Sequence, residues 1–215
     1  MRGKEREALR LQLGEVPATK SLSPEARGWQ VIYSPATWKV YWLAALVGLA
    51  LLGTLCVGLG TWSWVVASKA GMATAGDAAS PWITVLVVLA TFIPFHELVH
   101  LLGQPEWGMS SRSVLAVWPA KLRFGVYYEG CMSRARWLGM RLAPFIVLSV
   151  LPACLVALLQ LHPWTADVEV GLQVMMVVNA LGSGADILAA MVVLRQVPAR
   201  GEMCFESGRA YWRPA

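Results

Sequence analysis

Four blocks of almost unbroken apolar residues divide this sequence, at about 40–67, 81–103, 142–161 and 170–194. Each is long enough to cross a bilayer as a helix, which takes about 20 apolar residues. The first holds no charged residue and sets Gly48, Gly53, Gly58 and Gly60 among leucines, small residues that let membrane helices approach closely. Trp62 and Trp64 near its end read as interface anchors, and 68–81 as a short external loop. The second carries Pro94, the third Pro144 and Pro152, and the fourth is interrupted by Asn179, Gly182, Ser183, Gly184 and Asp186. Between the second and third blocks, Ser113 to Trp118 and Lys121 to Tyr128 read as two strands about a Pro119-Ala120 turn. Along the latter, Lys121, Arg123 and Gly125 alternate with Leu122, Phe124 and Val126, a period of two; an irregular amphipathic loop is the other reading. The pattern predicts an all-α integral membrane bundle of four transmembrane helices, with a short β-hairpin on the cytoplasmic side between helices 2 and 3. Residues 1–39, with scattered prolines and sparse leucines, read as a flexible cytoplasmic segment. Residues 40–215 read as one membrane-embedded domain, ending in a short polar tail whose Tyr211 and Trp212 rest at the interface.

Charge adds a direction to this picture. The chain is 57% hydrophobic and 14% charged, with a formal net charge of +5. Of its 18 Lys and Arg, seven precede the first block, six fall between the second and third, and four follow the fourth. Only Lys69 lies in the first connection and none in the third. That alternation follows the positive-inside rule and predicts a multi-pass cell-membrane protein with both termini cytoplasmic. The basic excess is then a topology signal with contact to anionic lipid, and nucleic acid is not an expected partner. Of the four cysteines, Cys56 and Cys154 lie inside apolar blocks and none forms a C-x-x-C pair, so neither a disulfide framework nor a cysteine metal site is expected.

Chemistry is concentrated in one stretch, Phe95-His96-Glu97-Leu98-Val99-His100, which holds two of the three histidines. The third, His162, reads as an interface residue. Residues four apart share a helix face, so His96 and His100 can reach one metal ion. Glu97, about 100° further round the helix, is placed to act as a general base on a water instead. Glu97 and Asp186 are the only carboxylates well inside the four blocks, and an ionisable group in hydrocarbon costs about 3 kcal/mol on insertion scales. A shared metal would explain both, with Asp186 as third ligand. His96 and His100 follow Trp82 by 14 and 18 residues, and Asp186 follows Val170 by 16, so in two helices of the same direction the three side chains fall at nearly one level. For Asp186, a packing role or a hydrogen bond to a ligating histidine is the competing reading. Asn179, seven residues before Asp186, is a candidate catalytic residue that would bind substrate backbone or the oxyanion; an interhelical hydrogen bond is its alternative. The run Gly182-Ser183-Gly184 is expected to let the second and fourth helices approach. Three protein ligands are the pattern of a catalytic zinc (Zn2+) site.

Phe95 to Gly103, the Ala-Pro-Phe at 143–145 and Asn179 to Ile187 resemble the family of "putative zincin peptidases", small prokaryotic membrane proteins. More distantly the arrangement is similar to the site-2 protease class of intramembrane metalloproteases. The resemblance covers roughly residues 80–212. It implies that His96, His100 and Asp186 bind zinc, that Glu97 is catalytic, and that the substrate is a membrane-anchored protein or peptide. The N-P-D-G sequence usual in site-2 proteases is absent: Asn179 and Asp186 are separated and Ile187 follows the Asp. The expected function is a membrane-embedded zinc metallopeptidase cutting membrane-associated substrates near the cytoplasmic face, with substrate held by adding an extended strand to the hairpin. A non-catalytic zinc-binding scaffold or sensor is the competing reading.

Overall fold

The computed structural model describes residues 9–14, 28–34, 36–70, 81–119, 123–159, 166–206 and 209–215. In chain order these form β1 (Arg10–Leu13), β2 (Gln30–Val31), α1 (Thr37–Ala70), α2 (Pro81–Gly103), β3 (Ser113–Trp118), β4 (Arg123–Tyr128) and β5 (Cys131–Ser133). There follow α3 (Arg134–Phe145), a π turn (Ile146–Val150), α4 (Leu151–Leu159), α5 (Ala166–Gly182), α6 (Gly184–Gln196), β6 (Gly201–Glu206) and β7 (Arg209–Pro214). Among the described residues, three helical stretches are long and apolar enough to cross a membrane, or up to four if the bent pair α5–α6 counts as one. Most of the loop expected over 68–81, His162, Ala120 in the hairpin turn with Lys121 and Leu122 of the expected second strand, and the side chains of Trp62 and Trp64 lie outside the described residues.

The chain divides into two compact units, one of residues 36–96 and 144–188, the other of 1–35, 97–143 and 189–215. In the first, aliphatic residues of α1 and α2 such as Leu46, Leu49, Leu86, Val87 and Ile93 are exposed, as side chains facing lipid would be. Glycine sets its tightest contacts. A Cβ on Gly184 would lie 2.0 Å from the Ala44 carbonyl, and one on Gly48 would lie 2.7 Å from that of Leu181. Gly182 faces the Phe92 ring of α2. The small run therefore meets two neighbours: Gly182 faces only a side chain of the second apolar helix, whereas Gly184 admits the backbone of the first.

The second unit overturns the all-α expectation. Among the described residues it holds two sheets with seven strands, in the orders β1-β3-β4 and β2-β7-β6-β5. The expected hairpin is present as β3 and β4, antiparallel with Ser113 opposite Tyr128. The segment read as a flexible tail supplies β1, parallel to β3 with Arg10 opposite Val114, and β2, paired with β7. The C-terminal tail forms the β6–β7 hairpin, with Tyr211 opposite Cys204. Trp137, Met132, Met140, Val193, Val197, Met203 and Ile32 form the apolar core beneath. The third apolar helix starts at Arg134, eight residues before the expected 142, because Trp137 and Met140 turn its polar first part onto this core. Cys131 and Cys204 face each other across β5 and β6 and form a disulfide, against expectation. They stand 73 residues apart, and only strand register brings them together.

Candidate metal centre

The second and fourth apolar helices carry the site, and the fourth is not straight. Between α5 and α6 it breaks at Ser183 and bends by 46°. Asn179 and Asp186 lie on opposite sides of the break, and both reach His96 of α2. Asn179 Oδ1 is 2.8 Å from His96 Nδ1 and Asp186 Oδ2 is 3.2 Å from Nε2. His100 follows one turn later on the same helix, and its Nδ1 is 2.9 Å from the Met140 carbonyl. Atoms of His96, His100 and Asp186 able to bind a metal all lie within 4.8 Å of one another, and the three residues are 8%, 5% and 6% exposed.

The direction of each hydrogen bond follows from what a carbonyl can do. Carbonyl oxygens only accept, so His100 Nδ1 donates to Met140. Asn179 Nδ2 donates to the Pro144 carbonyl at 2.9 Å and to Ser149 Oγ at 2.8 Å, which fixes the amide and leaves Oδ1 towards His96. His96 Nδ1 therefore carries the proton. Both rings are held at Nδ1 by an acceptor, the arrangement that orients a ligating imidazole and makes Nε2 its metal-binding atom. An Nε2 lone pair and a carboxylate oxygen 3.2 Å apart need a proton or a metal cation between them. That separation is close to the edge of a tetrahedron with bonds of about 2.0 Å, the geometry of zinc held by His nitrogen and Asp oxygen. The residues present fit such an ion.

Other expected residues fall as follows. Glu97 Oε2 accepts the backbone N–H of Val126, on β4, at 3.0 Å. Asn179 is fully buried at 0% exposure, and the bonds just described occupy its Oδ1 and both Nδ2 protons, so it holds the back of the His96 ring. Phe92, one turn before His96, packs its ring 5.6 Å from the imidazole. Met140, Pro144 and Val126 contribute through the main chain, which no pattern of side chains announces. Ser149 had one available signal, a lone hydroxyl in an apolar run five residues after a proline.

The profile of a family described as "Putative zincin peptidase" matches residues 86–200, a little over half of the 215-residue chain. No curated protein and no solved structure matches the chain. Zinc is the metal that the family name implies for the His96, His100 and Asp186 cluster. The match runs from α2, with its two histidines, past the end of α6, which carries the aspartate, and the chain belongs to this zincin peptidase family.

Proposed function

We propose that the protein is a membrane-embedded zinc endopeptidase that cuts membrane-anchored protein or peptide substrates near the cytoplasmic face. The observation that carries this reading is the cluster of His96, His100 and Asp186 with both imidazoles held at Nδ1. Zinc, when bound, polarises the scissile carbonyl and makes water acidic enough to lose a proton near neutral pH. Glu97 takes that proton on its carboxylate and returns it to the leaving nitrogen. His96, His100 and Asp186 hold the ion, and Asn179 keeps the His96 ring in place rather than touching substrate.

The substrate lies along β4. This strand is an edge of its sheet among the described residues. Residues alternate along an antiparallel strand, and Val126 N–H points to Glu97, while Glu129 N–H bonds Arg112 back beside β3. Phe124, Val126 and Tyr128 therefore turn their main-chain groups outward. An extended peptide added there would pair with Phe124 and Tyr128 on either side of Val126, whose N–H Glu97 already accepts, and so run directly beside the base.

The test is metal content with hydrolysis. Purified protein should carry about one zinc per chain and cleave a single-span substrate in proteoliposomes; chelation should abolish cleavage and added zinc restore it. Cleavage that survives complete zinc removal would overturn the peptidase reading, and zinc without cleavage of any membrane substrate would favour the scaffold.

Orientation has its own test. With the termini and strands cytoplasmic, the Cys131–Cys204 bond faces a reducing compartment, where such bonds are rare. In a Cys56→Ser, Cys154→Ser, Cys204→Ser background the exposed Cys131 should be labelled in intact cells by a permeant maleimide and not by an impermeant one. Labelling by the impermeant reagent would reverse the topology.

A further inference from the structure

We propose that Pro144 is a positioning residue for both metal-binding histidines, acting through two main-chain carbonyls; this rests on the zinc reading above. Pro144 sits inside α3, four residues after Met140. In an α-helix the carbonyl of residue 140 would accept the N–H of residue 144, and proline has none. The Met140 carbonyl is thereby released from its helix partner, and His100 Nδ1 takes it at 2.9 Å. Gly103, three residues after His100, makes the approach possible: a Cβ there would lie 2.9 Å from Met140 Cα.

The same proline serves His96 by its own carbonyl. Two residues on, the helix widens into the π turn, where the Leu151 N–H reaches back five residues to the Ile146 carbonyl. In a regular α-helix Ser149 would lie about 140° round from Pro144; the wider π turn over Ile146–Val150 lessens that offset. The Pro144 carbonyl and Ser149 Oγ then receive the two Nδ2 protons of Asn179. Ser149 passes its own proton to the Met176 carbonyl at 3.3 Å. The relay terminates on two carbonyls that cannot donate, those of Pro144 and Met176, and this sets the direction of each bond back to His96 Nδ1. One proline and the turn behind it thus set the proton on both rings, with Nε2 presented to the ion. Such widened turns recur at functional sites, and here the turn has a stated task.

Pro144→Ala tests this, because its two effects have opposite signs. Alanine restores an N–H at 144 that competes for the Met140 carbonyl. Alanine is also a far better helix former than proline, so the thermal midpoint should hold or rise. Zinc affinity, measured on the full-length protein in detergent against a chromophoric chelator, should fall roughly 10–100-fold, as when a hydrogen bond behind a metal ligand is lost. Ser149→Ala should weaken zinc by about threefold to tenfold, the worth of one hydrogen bond, and should add nothing to Asn179→Ala, through which it acts. Pro152→Ala, in the same apolar run, should leave zinc binding unchanged. Nitrogen-15 histidine spectra of the zinc-free protein should show Nδ1–H at His96 and His100, lost at His100 in Pro144→Ala. Unchanged zinc affinity with an unchanged His100 tautomer would overturn the proposal, as would a drop shared equally by Pro152→Ala. Should Pro144→Ala not fold, Ser149→Ala and its His96 tautomer decide the matter. If wild type takes up no zinc, the metal reading fails, while the tautomer comparison still judges Pro144.

Discussion

Glu97→Gln should leave the bound zinc in place and lower turnover by roughly 10²–10⁴-fold, the usual worth of a general acid–base group. Glutamine keeps the volume of the side chain, and its carbonyl oxygen can still accept the Val126 N–H that Glu97 Oε2 accepts at 3.0 Å. Its position on α2, about 100° round from His96, is unchanged. What it cannot do is take a proton from water at neutral pH. The substitution therefore separates proton transfer from placement. Parallel measurement of kcat on a single-span substrate and of zinc per chain checks it. Zinc content equal to wild type with kcat down by the stated amount is the expected pair of results. Cleavage at the wild-type rate would remove Glu97 as the base and leave the Val126 contact a packing detail.

The parts of this structure legible in the sequence are those whose cause is local. A run of apolar residues gives α2 the bounds expected, Pro81 to Gly103, and a short strand-forming run closed by the Pro119 turn gives β3 its bounds, Ser113 to Trp118. The gathering of His96, His100 and Asp186 was legible for a different reason: a buried charge in an apolar helix needs a partner, and few were on offer. What could not be read depends on a distant segment. Strands β1, β2, β6 and β7 are short and mixed in polarity, and they are strands because β3, β5 and each other supply the ladder; propensity decides little in such positions. Cys131 meets Cys204 through that register alone. The break at Ser183 was visible only as three small residues, and without the fold nothing told a bend from a close contact. Reading α5 and α6 as one straight helix placed Asn179 two turns outward from the ligands, where an oxyanion role looked natural. The bend turns it to the back of His96 instead.

That bend makes the position of Asp186 a packing property, and two substitutions should lose zinc by separate routes. Asp186→Ala removes the carboxylate 3.2 Å from His96 Nε2 and leaves the helices untouched. Zinc affinity should fall by well over tenfold while the thermal midpoint of the zinc-free protein stays near wild type or rises, since a buried carboxylate without its cation is a cost. Gly184→Ala keeps the carboxylate and moves its support. The added Cβ would lie 2.0 Å from the Ala44 carbonyl and 2.9 Å from the Gly48 nitrogen, main-chain atoms that no rotamer change can clear. Either α1 or the start of α6 has to shift, at a cost of about 1–3 kcal/mol or more, and Asp186 stands only two residues further on. Both zinc affinity and thermal midpoint should therefore drop. Gly182→Ala is the control, because its Cβ would meet only the Phe92 ring, at 3.0 Å, a side chain able to give way. Chelator competition and melting curves on the three variants check the scheme. Gly184→Ala with wild-type zinc affinity would mean that the break does not set the ligand, and Asp186→Ala with undiminished zinc would leave the third ligand to another residue.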